Sequence, residues 1–321
     1  MGRKNERHPW TRLIVIAGTL LIFPLFFISG PAYQSARSLH EFWNLGHVVF
    51  FALFAILVYY YLLPQSLPSI SRICLSLVLV ILVGMGIEIA QLGASGRTVG
   101  WDDFFRDLAG AGLVFVWQVG ISGNNRSAII FSRIAACIIA AVCLIPLSCA
   151  LVDEYQAKRE FPLLSGFEHR FELGRWADAE RLRRVGYPVR AGKYSAEIRL
   201  TTDRYSGVSL FHFPQDWSGK NALAFSVFNP GEPVELLFRV HDRWHAGDKQ
   251  EYHDRFNGSR ILARGWNDIV IPMTAIHDAP ASRKMDLAHI RGFGLFVMDQ
   301  PEPRLLYLDD VRLVEGNHPE E

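Results

Sequence analysis

ICLSLVLVILVGMGIEIAQLGA, residues 73–94, carries a single charged side chain, Glu88. As a helix rising about 1.5 Å per residue, a run of this length covers roughly the 30 Å of a bilayer's hydrocarbon core. It therefore reads as a membrane span. Four further stretches read the same way, at roughly 13–29, 45–63, 103–121 and 131–151. Turn and charge signals separate them: Gly30-Pro31, Pro64 to Arg72, Gly96 to Asp102, and Ser122 to Arg126. The first stretch follows Arg3, Lys4, Arg7 and Arg12, the basic lead of a signal peptide, but its apolar run is long and no A-x-A site follows closely. A retained helix is the expectation.

Charge divides the chain at the same point. Residues 1–151 hold ten Lys or Arg and six Asp or Glu, leaving 23 and 26 of the chain's 33 basic and 32 acidic side chains to residues 152–321. The near-neutral balance offers no concentrated basic face, so nucleic acid is not an expected partner. All four cysteines (Cys74, Cys137, Cys143, Cys149) lie in the apolar half, so the second half must stand on its own core without disulfides. The positive-inside rule sets an orientation. With the N-terminus inside, inner segments hold Arg3, Lys4, Arg7, Arg12, Arg72, Arg126 and Arg133, and outer ones only Arg37, Arg97 and Arg106. Five spans then place the C-terminal half outside the cytoplasm.

Polar groups inside the spans are costly and therefore informative. Glu88 and Gln91 share a helix face; Asp103, Asp107 and Gly110 form an i, i+4, i+7 stripe. His47 opens the second span and Arg97 lies in the short loop before the fourth. The deduced topology brings His47, Glu88, Gln91, Arg97, Asp103 and Asp107 to one depth under the outer surface. Two readings are open. The groups clamp helices together, or they line a small pocket in which Arg97 meets a phosphate or carboxylate and the acids move a proton or hold a cation.

Residues 40–121 resemble the VanZ-like membrane domain. The matching run is His47-Val-Val-Phe-Phe51, then Glu88-Ile-Ala-Gln91, then Arg97 through Asp103 and Asp107 to Gly110. Asp107 stands where that family usually has Asn, and Asn44 where a Lys is common. The resemblance implies a cell-envelope role, some relatives being linked to glycopeptide-antibiotic tolerance, and no settled reaction.

From Phe167 the period changes to two. Residues 222–228, 234–240, 267–271, 291–297 and 305–313 alternate like short strands between Gly, Pro, Asn and Asp loops. Only residues 177–184 suggest a helical turn. The fold class expected is thus multi-domain: an all-α transmembrane bundle of five helices over 1–151, a linker over 152–166, and an all-β sandwich or jelly roll over 167–316. This half resembles carbohydrate-binding modules of the galactose-binding-like jelly-roll class, on Phe167-Glu168, Gly192 to Ser195, Asp216 to Gly219, His241-Asp242, Asp254 to Asn257, Gly265 to Asn267 and Leu308 to Leu313. The resemblance implies a structural Ca²⁺ at Glu168, Ser195 and Asp310.

Sugars offer C–H faces to aromatics and hydroxyls to Asp, Asn and Arg. Asp242, Trp244, Tyr252, Asp254, Arg255 and Asn257 supply both within one loop and short strand, and are the candidate glycan ligands. The alternative is that Asp254, Arg255 and Trp266 only pin the loop. A metal reading of His241, Asp242, His245 and His253 lacks any settled zinc spacing. No Walker loop, H-E-x-x-H, C-x-x-C or G-x-S-x-G occurs, so an enzyme has no positive support in this half. The expectation is a multi-pass protein of the bacterial cytoplasmic membrane, in contact with lipid, that binds envelope or extracellular polysaccharide through a periplasmic or extracellular domain. An intramembrane enzyme acting on a lipid-linked phosphate or sugar, and a protein-interaction module, are the alternatives.

Overall fold

The computed structural model describes residues 9–28, 30–32, 35–95, 101–122, 125–245 and 251–315. Arg97, one of the candidate residues, lies outside them. The chain divides into two compact units, Met1–Cys149 and Ala150–Glu321.

The first unit is helical: α1 (Pro9–Ile22), which runs into a 3-10 turn at Phe23–Phe27, α2 (Arg37–Leu57), α3 (Ser69–Ser95), α4 (Trp101–Ser122) and most of α5 (Arg126–Glu160), whose last turns from Ala150 belong to the second unit. Four are long and apolar enough to cross a membrane: Pro9–Phe27, Arg37–Leu62, Ser69–Gln91 and Arg126–Glu160. The fourth of the five expected spans, α4, is not among them. Asp102, Asp103, Arg106 and Asp107 crowd its first two turns, and apolar residues dominate only after them. Phe26, Phe50, Phe51, Ala55, Tyr59, Val80, Ile87, Ala111 and Phe115 form the unit's packed interior. Leu20, Leu82, Ile89, Ile138 and Val142 are exposed. An apolar exterior around an interior that includes buried His and Asp reverses the arrangement of a water-soluble bundle. Helices α2 and α4 approach closely at Gly110, where a Cβ would collide with the Val48 carbonyl; only glycine allows that contact.

The second unit is an antiparallel β-sandwich. Its strands are β1 (Leu163–Ser165), β2 (Trp176–Ala177), β3 (Leu182–Val185), β4 (Ser195–Leu200), β5 (Tyr205–Leu210), β6 (Lys220–Asn229), β7 (Val234–Asp242), β8 (Phe256–Leu262), β9 (Gly265–Pro272), β10 (Ile290–Met298) and β11 (Arg304–Glu315), with a short α6 (Met273–His277) after β9. One sheet runs β3-β4-β11-β6-β9 with β1 added to β11; the other runs β2-β5-β10-β7-β8. The five stretches expected as strands fall in β6, β7, β9, β10 and β11. Their inward residues, among them Leu223, Phe225, Phe238, Val240, Phe293, Leu295, Leu308 and Leu313, interdigitate with fully buried Trp217 in one core.

Two intervals differ from expectation. Residues 177–184 hold only a 3-10 turn, Ala179–Arg181, before β3, because Leu182 alternates into the core beside Ile198. The interval expected as a linker is ordered: α5 continues to Glu160 and β1 pairs with β11. Arg175 holds this segment. Fully buried, it donates from Nε to Asp153 Oδ1 of α5 at 3.0 Å and from Nη1 to the Leu164 carbonyl at 2.8 Å. A buried guanidinium of this kind needs both partners.

Candidate functional site

The outward face of the second sheet is cut by a groove of about 450 Å³, lined by Asp178, Arg181, Tyr205, Ser209, Arg239, Arg255 and Phe296 among others. Strand alternation explains the lining. On β5 residues 205, 207 and 209 point away from the core, on β10 residues 294 and 296, and on β7 residue 239. Register then sets them side by side: Ser209 pairs with Gly294, Gly294 with Arg239, and Arg239 with Asn257. Glycine at 294 makes the trough, since a Cβ there would lie 3.0 Å from both Arg239 Nε and Ser209 Oγ. The Arg239 guanidinium lies 5.8 Å from the Phe296 ring centre, and Tyr205 meets the same ring edge-to-face at 6.0 Å. Tyr205 is 56% exposed.

The six residues singled out for glycan binding divide into two groups. Arg255 lines the groove, its Nε donating to Asn257 Oδ1 at 2.9 Å, and its guanidinium lies 5.7 Å from the exposed ring of Tyr252. These three sit together. Asp242 and Asp254 instead grip Arg283: Asp242 accepts from its Nη1 and Nη2 at 2.5 and 2.9 Å, and Asp254 from its Nε at 2.6 Å. Asp242 is fully buried and also accepts the N–H groups of Trp244, His245 and Asp286. Burial pushes its pKa up, but Arg283 and these N–H groups outweigh burial and hold it below the usual carboxylate value. Trp244 is exposed, with Arg243 stacked 4.6 Å over its ring.

His241 lies beside the groove, on β7. Burial first, then the positive charges of His245, Arg239 and Arg255, pull its pKa down to about 3. The sequence reading missed Tyr205, Arg239 and Phe296. Their signal was present, an outward Arg or aromatic in an otherwise regular strand, but it does not tell a groove from a solvated face.

The three residues for which the resemblance implies Ca²⁺ each have a protein partner. Glu168 Oε1 accepts the N–H groups of Lys193 and Tyr194, Ser195 Oγ donates to the Pro188 carbonyl, and Asp310 pairs with Arg312. No group of three or more His, Cys, Asp or Glu side chains among the described residues could hold a metal ion, and this covers the His241, Asp242, His245 and His253 reading as well.

In the helical unit, His47 Nδ1 lies 2.8 Å from Asp107 Oδ1 and His47 Nε2 lies 3.9 Å from Asp103 Oδ2. Arg106 Nη1 reaches Asp103 Oδ1 at 2.5 Å. Asp107 faces α3 at Gly84, where a Cβ would sit 2.7 Å from its Oδ2; Glu88, buried one turn further along α3, shares that face. Gln91 Nε2 donates to the Phe26 carbonyl at 2.8 Å. Helices α2, α3 and α4 thus bring His47, Glu88, Asp103 and Asp107 together, while Gln91 turns to the segment after α1.

No family model matches the chain, and no curated protein matches it. Solved structures do. A family 11 carbohydrate-binding module from Clostridium thermocellum, in complex with a β-1,3-1,4-mixed-linked tetrasaccharide, is 16% identical and covers 48% of this chain and 95% of its own, with a TM-score of 0.37. An exo-β-agarase is 13% identical over 42% of this chain and 22% of its own, at 0.34. A family 61 module in complex with β-1,4-galactotriose is 15% identical over 44% and 88%, at 0.30. The strand pairing by itself makes the C-terminal unit an antiparallel β-sandwich.

Proposed function

We propose that this chain is an integral membrane protein whose sandwich binds a polysaccharide of the cell envelope or its surroundings. The observation that carries the reading is the groove on the β2-β5-β10-β7-β8 sheet. Exposed Tyr205 and half-buried Phe296 offer ring faces for a sugar, while Ser209, Arg239 and Arg255 offer donors to its hydroxyls. Tyr252 stands beside Arg255, its exposed ring 5.7 Å from that guanidinium. Four apolar helices and the lipid-like exterior of the first unit support membrane insertion. With α4 crossing as a fifth span, the excess of basic residues in the segments assigned inside supports an inward N-terminus and an extracytoplasmic sandwich, in the cytoplasmic membrane of a bacterium. The VanZ-like resemblance of residues 40–121 belongs to the same reading.

Affinity electrophoresis of the full chain in detergent against immobilised polysaccharides tests it. Truncating one stacking aromatic costs about 2 kcal/mol or more, roughly thirtyfold in affinity. Tyr205→Ala and Phe296→Ala should each weaken retention by that order. Retention unchanged in both variants would move the site off this face.

A second reading rests on the His47–Asp107 pair and its neighbours Asp103 and Glu88. Ionisable groups buried in a membrane bundle are functional candidates by default. They would serve a lipid-linked phosphate or sugar, with His47 moving a proton. Asp107→Asn, Glu88→Gln and Asp103→Asn variants at wild-type membrane abundance separate the two roles. Loss of the cellular phenotype at normal abundance supports a site, and loss of abundance supports a helix clamp.

A further inference from the structure

Taking the groove as the polysaccharide site, we infer that its ligand is an acidic glycan whose anionic group docks between Arg239 and Arg255. Several arginines of the sandwich hold a carboxylate, while others, such as Arg184 and Arg304, donate to backbone carbonyls. Arg175 has Asp153, Arg181 has Asp203, Arg183 has Glu197, Arg190 has Asp268, Arg243 has Asp286 and Arg283 has Asp242 and Asp254. Of the three arginines that line the groove, Arg181 has Asp203, whereas Arg239 and Arg255 have no carboxylate partner among the described residues. Arg255 bonds through Nε to the neutral amide of Asn257, and Arg239 rests against the ring of Phe296.

Both are also partly withdrawn from water. Burial, with Arg255 as the like-charged neighbour, pulls the Arg239 pKa below its ordinary value, and burial does the same for Arg255. Two half-buried guanidiniums in one groove make a site that a free anion would relieve and a neutral sugar would not. Asp178 is the one carboxylate in the lining, and Arg181 already holds Asp203. Planar guanidinium forks match the two oxygens of a carboxylate, and equally those of a sulfate or phosphate ester. Tyr205 and Phe296 then give the sugar ring its stacking surface. The class implied is a uronate-containing or ester-substituted acidic polysaccharide.

The test uses the detergent-solubilised full chain against a panel. Polygalacturonate, alginate, hyaluronan and a sulfated galactan are the acidic arm. Fully methyl-esterified polygalacturonate, galactan, mixed-linkage β-glucan and dextran are the neutral arm. The expected result is retention by at least one acidic polymer, weakened about tenfold or more by Arg239→Met or Arg255→Met at unchanged melting temperature. Retention should also fall steeply between low and high salt. If Arg239→Met unfolds the sandwich, Arg255→Met and Arg239→Lys carry the comparison. Neutral polymers retained as well as acidic ones, with Tyr205→Ala still weakening retention, would overturn the anionic ligand and leave the groove standing. Acidic retention indifferent to both arginine substitutions would overturn the inference as adsorption elsewhere. No retention by either arm, or retention indifferent to Tyr205→Ala and Phe296→Ala, would overturn the groove reading and the inference with it.

Discussion

Asp242→Asn separates a ligand from a structural clamp. The carboxylate is fully buried, with Oδ2 accepting from Arg283 Nη1 at 2.5 Å and the Asp286 N–H at 2.7 Å, and Oδ1 from Arg283 Nη2 at 2.9 Å and the Trp244 N–H at 3.1 Å. Asparagine has one acceptor oxygen. Its amide NH₂ must face two of those donors, so at least two hydrogen bonds become donor-to-donor contacts. Removing one partner of a buried pair costs about 3–5 kcal/mol. Arg283 is 24% exposed and keeps Asp254, which favours the lower end, about 3 kcal/mol. For a domain of this size each kcal/mol is worth roughly 2–4 °C, so the melting temperature should fall by about 6–12 °C. The contribution is present above the ordinary carboxylate value of 3.8 and lost as pH falls through the lower folded value. Differential scanning calorimetry of residues 150–321, whose core lies wholly within the unit, measures the shift. Polysaccharide binding well below the transition should stay at the wild-type level. An unchanged melting temperature with lost binding would refute the clamp and return Asp242 to the ligand set.

The depressed pKa of His241 has a signed consequence. Its contribution to stability is full above about 6.5 and is lost as pH falls toward 3, up to about 5 kcal/mol. Asp309, buried near Glu168 and Glu172 and raised to about 6, works the other way as pH falls. His241→Phe should therefore remove the acid-side loss between pH 6.5 and 4, read by urea unfolding at each pH; an unaltered slope would acquit His241. Fully buried Trp217 and exposed Trp244 should part company in thermal melts. Trp217→Ala should cost about 3–5 kcal/mol, whereas Trp244→Ala should leave the melting temperature nearly unchanged. A reporter after residue 321 should be active outside the cytoplasm and one near Arg126 inside, and cytoplasmic activity of the C-terminal fusion would reverse the proposed orientation.

Much of this organisation is readable along the chain because it rests on short-range pattern. An apolar run such as 131–151 must form a helix wherever water is excluded, and alternation such as 234–240 must put one face inward. The split into a helical unit and a β-sandwich follows from that, as does the stripe of Asp103, Asp107 and Gly110. Where α5 stops does not, because Asp153 stays helical through a partner 22 residues away in sequence, Arg175. The site depended most on tertiary structure. Asp242 and Arg239 are both polar residues on β7, three apart, and nothing local distinguishes a clamp from a groove wall. Pairing of β7 with β10 set Arg239 opposite a glycine and left it open, while the return of the chain to Arg283 closed over Asp242. Sequence specifies which side chains can bear charge, and long-range contacts decide which of those charges are left without a partner.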